Sequence, residues 1–251
     1  MIDWGDGTVE NETIGDGYVM ETKRVEHVYT TAGDYVIAIS AIDTVHNLSF
    51  ADHDSEYQHF KVEDRYLLKK VIFGDNVKFL GEWSFEGCYY LTSVVFSSAT
   101  LEIGDNAFQN CFSLSSVIFS NNLESIGNDT FSGCGIKSIV FPENCNLSVG
   151  SYAFANCPLL SSITFYPNSV SSLDYSAFVN SPVGEVHVLS ETPDNMILGG
   201  YIFGYADLQT DDNDGITWDL KIYVPVGTAE TYIEDSCWTS DYADYITEEY
   251  V

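Results

Sequence analysis

The sequence predicts a mainly β protein, a solenoid of about six 23-residue turns carrying a parallel β-ladder, preceded by a partial β-sandwich. Three observations carry that prediction. The strings "WSFEGCYYLTSVVF", "NAFQNCFSLSSVIF" and "YAFANCPLLSSITF" are near-copies of one another. Their columns hold a fixed step: Phe85, Phe108, Phe131 and Phe154 lie 23 apart and Phe178 follows after 24, while Cys88, Cys111, Cys134 and Cys157 keep pace until Ser181. An apolar run travels with them, ending at Phe73, Phe96, Phe119, Phe141 and Phe165, and Val188 closes a sixth, degraded copy. A fixed period of this length is the signature of a stacked repeat array.

Each element of one repeat follows from its residues. "LTSVVF" (91–96) is too short for a helix and rich in β-branched residues, so it reads as a strand. Copies of it stack at ~4.8 Å into a parallel ladder. "LEIG" then places Leu101 and Ile103 inward, with Gly104 permitting a tight bend. "NAFQNC" returns the chain through one helical or 3₁₀ turn with Ala107, Phe108 and Cys111 facing the core. No single repeat buries its own apolar face; stacking does so.

The pattern Leu-x-x-Val-x-Phe…Leu-x-x-Ile-Gly-x-x-Ala-Phe-x-x-Cys resembles the BspA-like leucine-rich repeat, clearly over 67–182 and loosely over 183–223. Departures are Trp83-Ser84 at the small-residue pair, Thr130 for Ala and Ser181 for Cys. Near the start, "IDWGDGT" (2–8) and "HVYTTAGDYVIAIS" (27–40) resemble a PKD-like, immunoglobulin-type sandwich, with Trp4 as core aromatic and Asp6-Gly7 as a hairpin turn. Since such a sandwich takes ~7 strands and ~100 residues, only part of one is present. The expected organisation is therefore 1–62 as partial PKD-like domain and connector, 63–223 as repeat array, and 224–251 as an acidic cap. In the cap, Thr228 reads as the N-cap of a short helix over 229–235.

Charge narrows the function classes. The net charge is −29, with 38 acidic and 9 basic residues, which excludes a phosphate-backbone ligand because counterion release needs basic side chains. Residues 1–66 carry 14 acidic and 4 basic residues, 67–182 carry 9 and 4, and 183–251 carry 15 and 1, so the middle is nearly neutral between acidic ends. No apolar run reaches the ~20 residues of a membrane helix. "MIDWGDG" has neither a basic nor an apolar leader region, so the sequence predicts no signal peptide in this chain.

No catalytic fingerprint of a hydrolase, metalloprotease or nucleotide-binding enzyme occurs, and no cofactor is expected. The four cysteines in register lack the tight Cys-x₂₋₄-Cys pairs of zinc sites, so they read as inert core thiols; Cys145 and Cys237 lie outside that column. Asp52-His53-Asp54 and His59 read as a polar connector. "TDDNDG" (210–215) departs from calcium-loop spacing, with Thr210 at position 1 and Lys221 at position 12, and reads as an acidic turn, calcium binding at Asp211–Gly215 being left open.

The candidate binding residues lie on the strands. If the first, fourth and sixth residues are core, the fifth points outward onto the concave face. Those residues are Ile72, Val95, Ile118, Val140, Thr164 and His187. A second row beside them runs Lys70, Ser93, Ser116, Ser138, Ser162 and Glu185. The column either packs on itself across the ladder, as β-branched residues do, or docks a partner. The resemblance implies a non-catalytic, extracellular or cell-surface binding and adhesion module of a bacterium. Its expected ligand is a protein or glycan on a host or neighbouring cell, without membrane insertion. The alternatives are a phage tail or fibre component and an accessory binding region of a glycan-processing enzyme.

Overall fold

The computed structural model describes residues 2–3, 7, 9–10, 35–39, 68–74, 77–193, 196–203, 220–234 and 242–249. The sequence motifs at Trp4, His27 and Tyr29, the connector histidines, "TDDNDG" and Cys237 lie outside them. The strands run in chain order β1 (Ile2–Asp3), β2 (Val9–Glu10), β3 (Tyr35–Ile39), β4 (Leu68–Phe73), β5 (Phe79–Leu80), β6 (Ser93–Val95), β7 (Glu102–Ile103), β8 (Ser116–Ile118) and β9 (Ser125–Ile126). There follow β10 (Ser138–Phe141), β11 (Leu147–Val149), β12 (Ser162–Phe165), β13 (Val170–Leu173), β14 (Glu185–Val188), β15 (Ile197–Leu198), β16 (Lys221–Pro225), α1 (Ala229–Glu234) and β17 (Ile246–Glu249).

Each of the first six turns contributes one strand to each of two parallel ladders, and a seventh adds one to the first. The first ladder takes β4, β6 and β8, then β10, β12, β14 and β16; the second runs from β5 through β7, β9, β11 and β13 to β15. The described chain thus makes about seven turns, one more than the repeats legible in the sequence, because β16 pairs in register with β14 through Lys221, Ile222 and Tyr223. At the other end β1 pairs antiparallel with β2 and β3, and β3 pairs parallel with β4. These N-terminal strands extend the array's own first ladder. They supply no second sheet, so no sandwich is formed among the described residues.

The core is two interlocked columns of phenylalanine. Phe85, Phe108, Phe131, Phe154, Phe178 and Phe203 stack nearly parallel, with centroids 5.2 to 5.6 Å apart. Phe73, Phe96, Phe119 and Phe141 each meet the first column edge-on, at 5.9 to 6.0 Å and 73° to 83°. Stacked and edge-to-face pairs each add ~0.5–1.5 kcal/mol beyond burial, and Phe108, Phe131 and Phe154 make both kinds.

The return segment is not the helical or 3₁₀ turn that "NAFQNC" suggests. The amides of Asn106, Phe108 and Asn110 donate to the carbonyls of Asn128, Thr130 and Ser132 in the next repeat, each at 2.8 Å. The intervening amides of Ala107, Gln109 and Cys111 donate three residues back, at 3.1 to 3.3 Å. A helix would direct every amide along its own axis, leaving none to join repeats. The alternation is set by left-handed residues, Asn106 (φ 57) and Asn110 (φ 60), a conformation asparagine tolerates. Gly104 has a different role from the bend expected of it. Its φ is not left-handed, but a Cβ there would lie 2.7 Å from the Glu82 amide nitrogen and 2.9 Å from the Leu80 carbonyl. Close approach of neighbouring turns, not bending, requires glycine. Leu101 is only half-buried, whereas Ile103 is fully inside.

The array closes through α1, which joins the parallel pair β16 and β17. Tyr232 of α1 is fully buried and its hydroxyl donates to the Ser190 and Thr192 carbonyls at 2.8 and 3.0 Å. Thr228 is not the side-chain cap that the sequence indicates: its hydroxyl turns back to the Pro225 carbonyl at 2.7 Å. The Ala229 amide instead donates to Glu248 Oε1 from β17, at 3.1 Å.

Two outcomes follow from this packing. Phe131→Ala removes a ring stacked between Phe108 and Phe154, so a loss of ~3–5 kcal/mol is expected in urea unfolding. The amides of Ala229, Gly227 and Thr228 hold the Glu248 carboxyl below its ordinary value. A depressed folded value gives stability that is present above the unfolded value and is lost as pH falls through the folded one. Glu248→Gln is therefore expected to lower the melting temperature at pH 7, with the difference shrinking as pH falls through the acid range below 4.5.

Candidate functional site

The strand pattern read from sequence fixes which side chains face out. Leu91, Val94 and Phe96, the first, fourth and sixth residues of their strand, are buried, as are their counterparts Leu160, Ile163 and Phe165. Third and fifth residues lie on the outer face of the first ladder, in register. Lys70 pairs with Ser93 and Ser93 with Ser116; Ile72 pairs with Val95 and Val95 with Ile118. Beyond, Ser138, Ser162, Glu185 and Lys221 form one row, while Val140, Thr164, His187 and Tyr223 form the other.

These rows are not continuous. The ladder is interrupted between β8 and β10, which belong to separate hydrogen-bonded sheets. So Ile72, Val95 and Ile118 form one group with Ser93 and Ser116, and Val140, Thr164 and His187 form another with Ser138 and Ser162. The cause is one missing residue. Leu114 follows Cys111 by three places, but Ile136 follows Cys134 by two. The chain takes the short path through Gly135, where a Cβ would overlap the Phe112 carbonyl. Phe119 and Phe141 then stack at 6.0 Å, against 5.2 Å for Phe73–Phe96 and Phe141–Phe165. The 22-residue step from Phe119 to Phe141 was the sequence signal for it.

Exposure peaks at the interruption. Ile118 and Val140 are 57% and 54% exposed, while Ile72, Val95, Thr164 and His187 are half-buried. The hydroxyls divide by column. Second-position Thr92, Ser115 and Ser161 donate to the preceding strand's carbonyls, of Lys69, Thr92 and Lys137, at 2.9 to 3.5 Å. Third-position Ser93, Ser116, Ser138 and Ser162 make no hydrogen bond to any described residue through their hydroxyls. At the far end, His187 stacks on Tyr223 at 4.9 Å and its Nδ1 lies 2.6 Å from Glu249 Oε1, with Glu185 3.8 Å from Nε2. Sequence reasoning missed Tyr223 as a member of this face, since its strand lies beyond the clear repeats. A shallow depression lined by Lys221, Tyr223, Asp244, Tyr245 and Thr247 continues from it.

The cysteine column is structural in a more specific way than a small hydrophobe. The thiols of Cys111, Cys134 and Cys157 donate to the carbonyls of Phe85, Phe108 and Phe131, each at 3.2 Å. Ser181 takes the next place and donates to Phe154 at 2.8 Å, while accepting from the Cys157 amide at 2.9 Å. A hydroxyl therefore replaces a thiol because the position wants a donor. Burial pushes all three thiols up, Cys157 to about 12. Among the described residues no group of His, Cys, Asp and Glu could hold a metal ion, and the described cysteines are free thiols.

Two short parallel strands per turn, with 22- to 24-residue spacing and a stacked apolar core, define a leucine-rich-repeat solenoid. Residues 59–184, half of the chain, match the BspA type leucine rich repeat region in six copies, and the chain belongs to that family. No curated protein matches it. Among solved structures it is similar to a T. pallidum leucine-rich-repeat protein, at 25% identity and TM-score 0.44 over 66% of this chain and 74% of that one. It is similar also to the pneumococcal vaccine antigen PcpA, at 20% identity and TM-score 0.50. That match covers 76% of this chain and 46% of PcpA, so the chain spans under half of that protein's length. A leucine-rich-repeat protein from Bacteroides ovatus is 16% identical, with TM-score 0.37, over 83% and 71%.

The thiol geometry gives a direct test. At pH 8 the native protein is expected to leave Cys111, Cys134 and Cys157 unalkylated by iodoacetamide, read by mass spectrometry, and a reductant to leave the melting temperature unchanged. Cys134→Ser is expected to cost less than Phe131→Ala.

Proposed function

We propose that this chain is a non-catalytic binding module, docking a partner on the outer face of the first ladder. One observation carries the reading: Ile118 and Val140 stand more than half exposed at the centre of the array, beside the uncommitted hydroxyls of Ser116 and Ser138. An apolar centre rimmed by polar groups is the anatomy of an interface. The self-packing alternative explains the half-buried Ile72 and Val95, but not the two residues where the ladder is broken. The role is that of adhesion or capture at a bacterial cell surface or outside it, supported by family membership. The PKD-like motifs of residues 1–62 belong to this proposal, as an N-terminal module running into the ladder through β3. No helix among the described residues is long and apolar enough to cross a membrane.

The test combines Ile118→Glu and Val140→Glu. The double variant is expected to keep its circular dichroism spectrum and melting temperature within a few degrees, while losing binding of the labelled chain to arrayed proteins and glycans. Unfolding of the variant would assign the column to buried structure. Retained binding would place the docking site elsewhere.

A further inference from the structure

Charge is segregated on this protein in a way its net value conceals. The chain holds nine basic residues. Four of them, Lys69, Lys70, Lys137 and Lys221, stand at the second or third positions of first-ladder strands, where the only acidic residue is Glu185. The opposite side of the same turns is acidic, with Glu102, Asp105, Glu124 and Asp129 on or beside the second ladder. Lys70 and Lys137 make no ion pair with any described residue. Lysines that served only solubility would be scattered among the carboxylates that outnumber them. These gather instead on the one face whose centre is apolar and whose hydroxyls are uncommitted.

We propose that the partner surface recognised by this face is an acidic polypeptide segment, with carboxylates flanking an apolar side chain. This rests on the docking reading above and adds its chemistry. The carboxylates pair with Lys70 and Lys137, the apolar side chain covers Ile118 and Val140, and the Ser93, Ser116 and Ser138 hydroxyls donate to the segment's carbonyls. Lys70 and Lys137 lie three rungs apart, roughly 15 Å at the ~4.8 Å ladder spacing, which an extended segment of about five residues spans. A polypeptide fits better than an acidic glycan because the exposed ridge is aliphatic. The aromatic ring of Tyr223 lies at the far end of the face, stacked against His187. The protein's own negative field does not forbid such a ligand. Charges more than ~10 Å away are largely screened at 0.1 M salt, so the local lysines decide the contact. Among the described residues Lys78 is the one lysine outside this face, so most of the described positive charge lies where the segment docks.

The experiment uses the full chain and three probes: a fluorescent copolymer of glutamate and leucine, its glutamine–leucine counterpart, and heparin. Expected is binding of the acidic copolymer in low salt, weakened about tenfold by Lys70→Gln with Lys137→Gln, further weakened by Lys→Glu at both positions, and falling with added salt. The neutral copolymer is expected to bind less well and to ignore the lysine changes. No binding of the acidic copolymer, or binding indifferent to both lysine pairs, overturns the acidic partner. Heparin binding as well as the acidic copolymer, with the same lysine dependence, overturns the polypeptide assignment. If the neutral copolymer binds and Ile118→Glu with Val140→Glu abolishes it while the lysine variants do not, the docking face stands and this inference alone fails. If neither pair of variants alters any binding, both fail.

Discussion

Stacking of phenylalanine against phenylalanine from one turn to the next is the contact on which the rest of this molecule depends. A single repeat presents one ring from its return segment and one from its strand. Neither can be buried without the turns on either side. Six rings stacked at 5.2 to 5.6 Å set the rise of the solenoid. That rise exceeds the ~4.8 Å ladder spacing only slightly, so both ladders close while the rings remain in contact. The edge-on contacts of Phe73, Phe96, Phe119 and Phe141 tie four strands to the return segments that follow them and fix the angle between the two.

The backbone meets the same constraint by alternation. Every second amide in the return segment joins the next repeat, and left-handed residues at Phe−2 and Phe+2 make this possible. Asparagine or glycine stands at most of these places, but Trp83, Tyr152 and Tyr201 occupy some of them with φ of 57 to 60. A left-handed non-glycine residue costs ~1–2 kcal/mol, and the edge-to-face contacts of Tyr175 with Tyr152 and Tyr201 offset part of it. The thiol column works beside it, each Cys or Ser donor bridging to the Phe carbonyl of the preceding repeat. Core identity in this protein is thus partly a hydrogen-bonding requirement, which is why serine, and not another small apolar residue, ends the column at Ser181.

Where the strict period fails, apolar side chains are left exposed. Gly135 shortens one corner, the first ladder parts between β8 and β10, and the side chains at the break lose the cross-strand cover that their counterparts have. Val117 is half-buried while Val94, Ile163 and Val186 are fully enclosed. The apolar exposure at Ile118 and Val140 is therefore a consequence of backbone geometry, placed in the middle of a face that also gathers lysine and free hydroxyl groups.

Much of this was legible in the residues themselves. The 23-residue step of Phe85, Phe108, Phe131 and Phe154 determined a stacked β-array, and the β-branched runs determined which side chains alternate inward and outward. Those properties follow from periodicity and from the two-residue repeat of a strand, and both are local. What the tertiary structure decided depends on atoms far apart in the chain. That Gly104 is needed for close approach, that Glu248 and not Thr228 caps α1, that Tyr223 joins the outer face of the first ladder, and that one absent residue divides the ladder all arise from contacts between neighbouring turns. A sequence states the order of its residues, but how nearly two turns meet is fixed only when the whole stack is assembled.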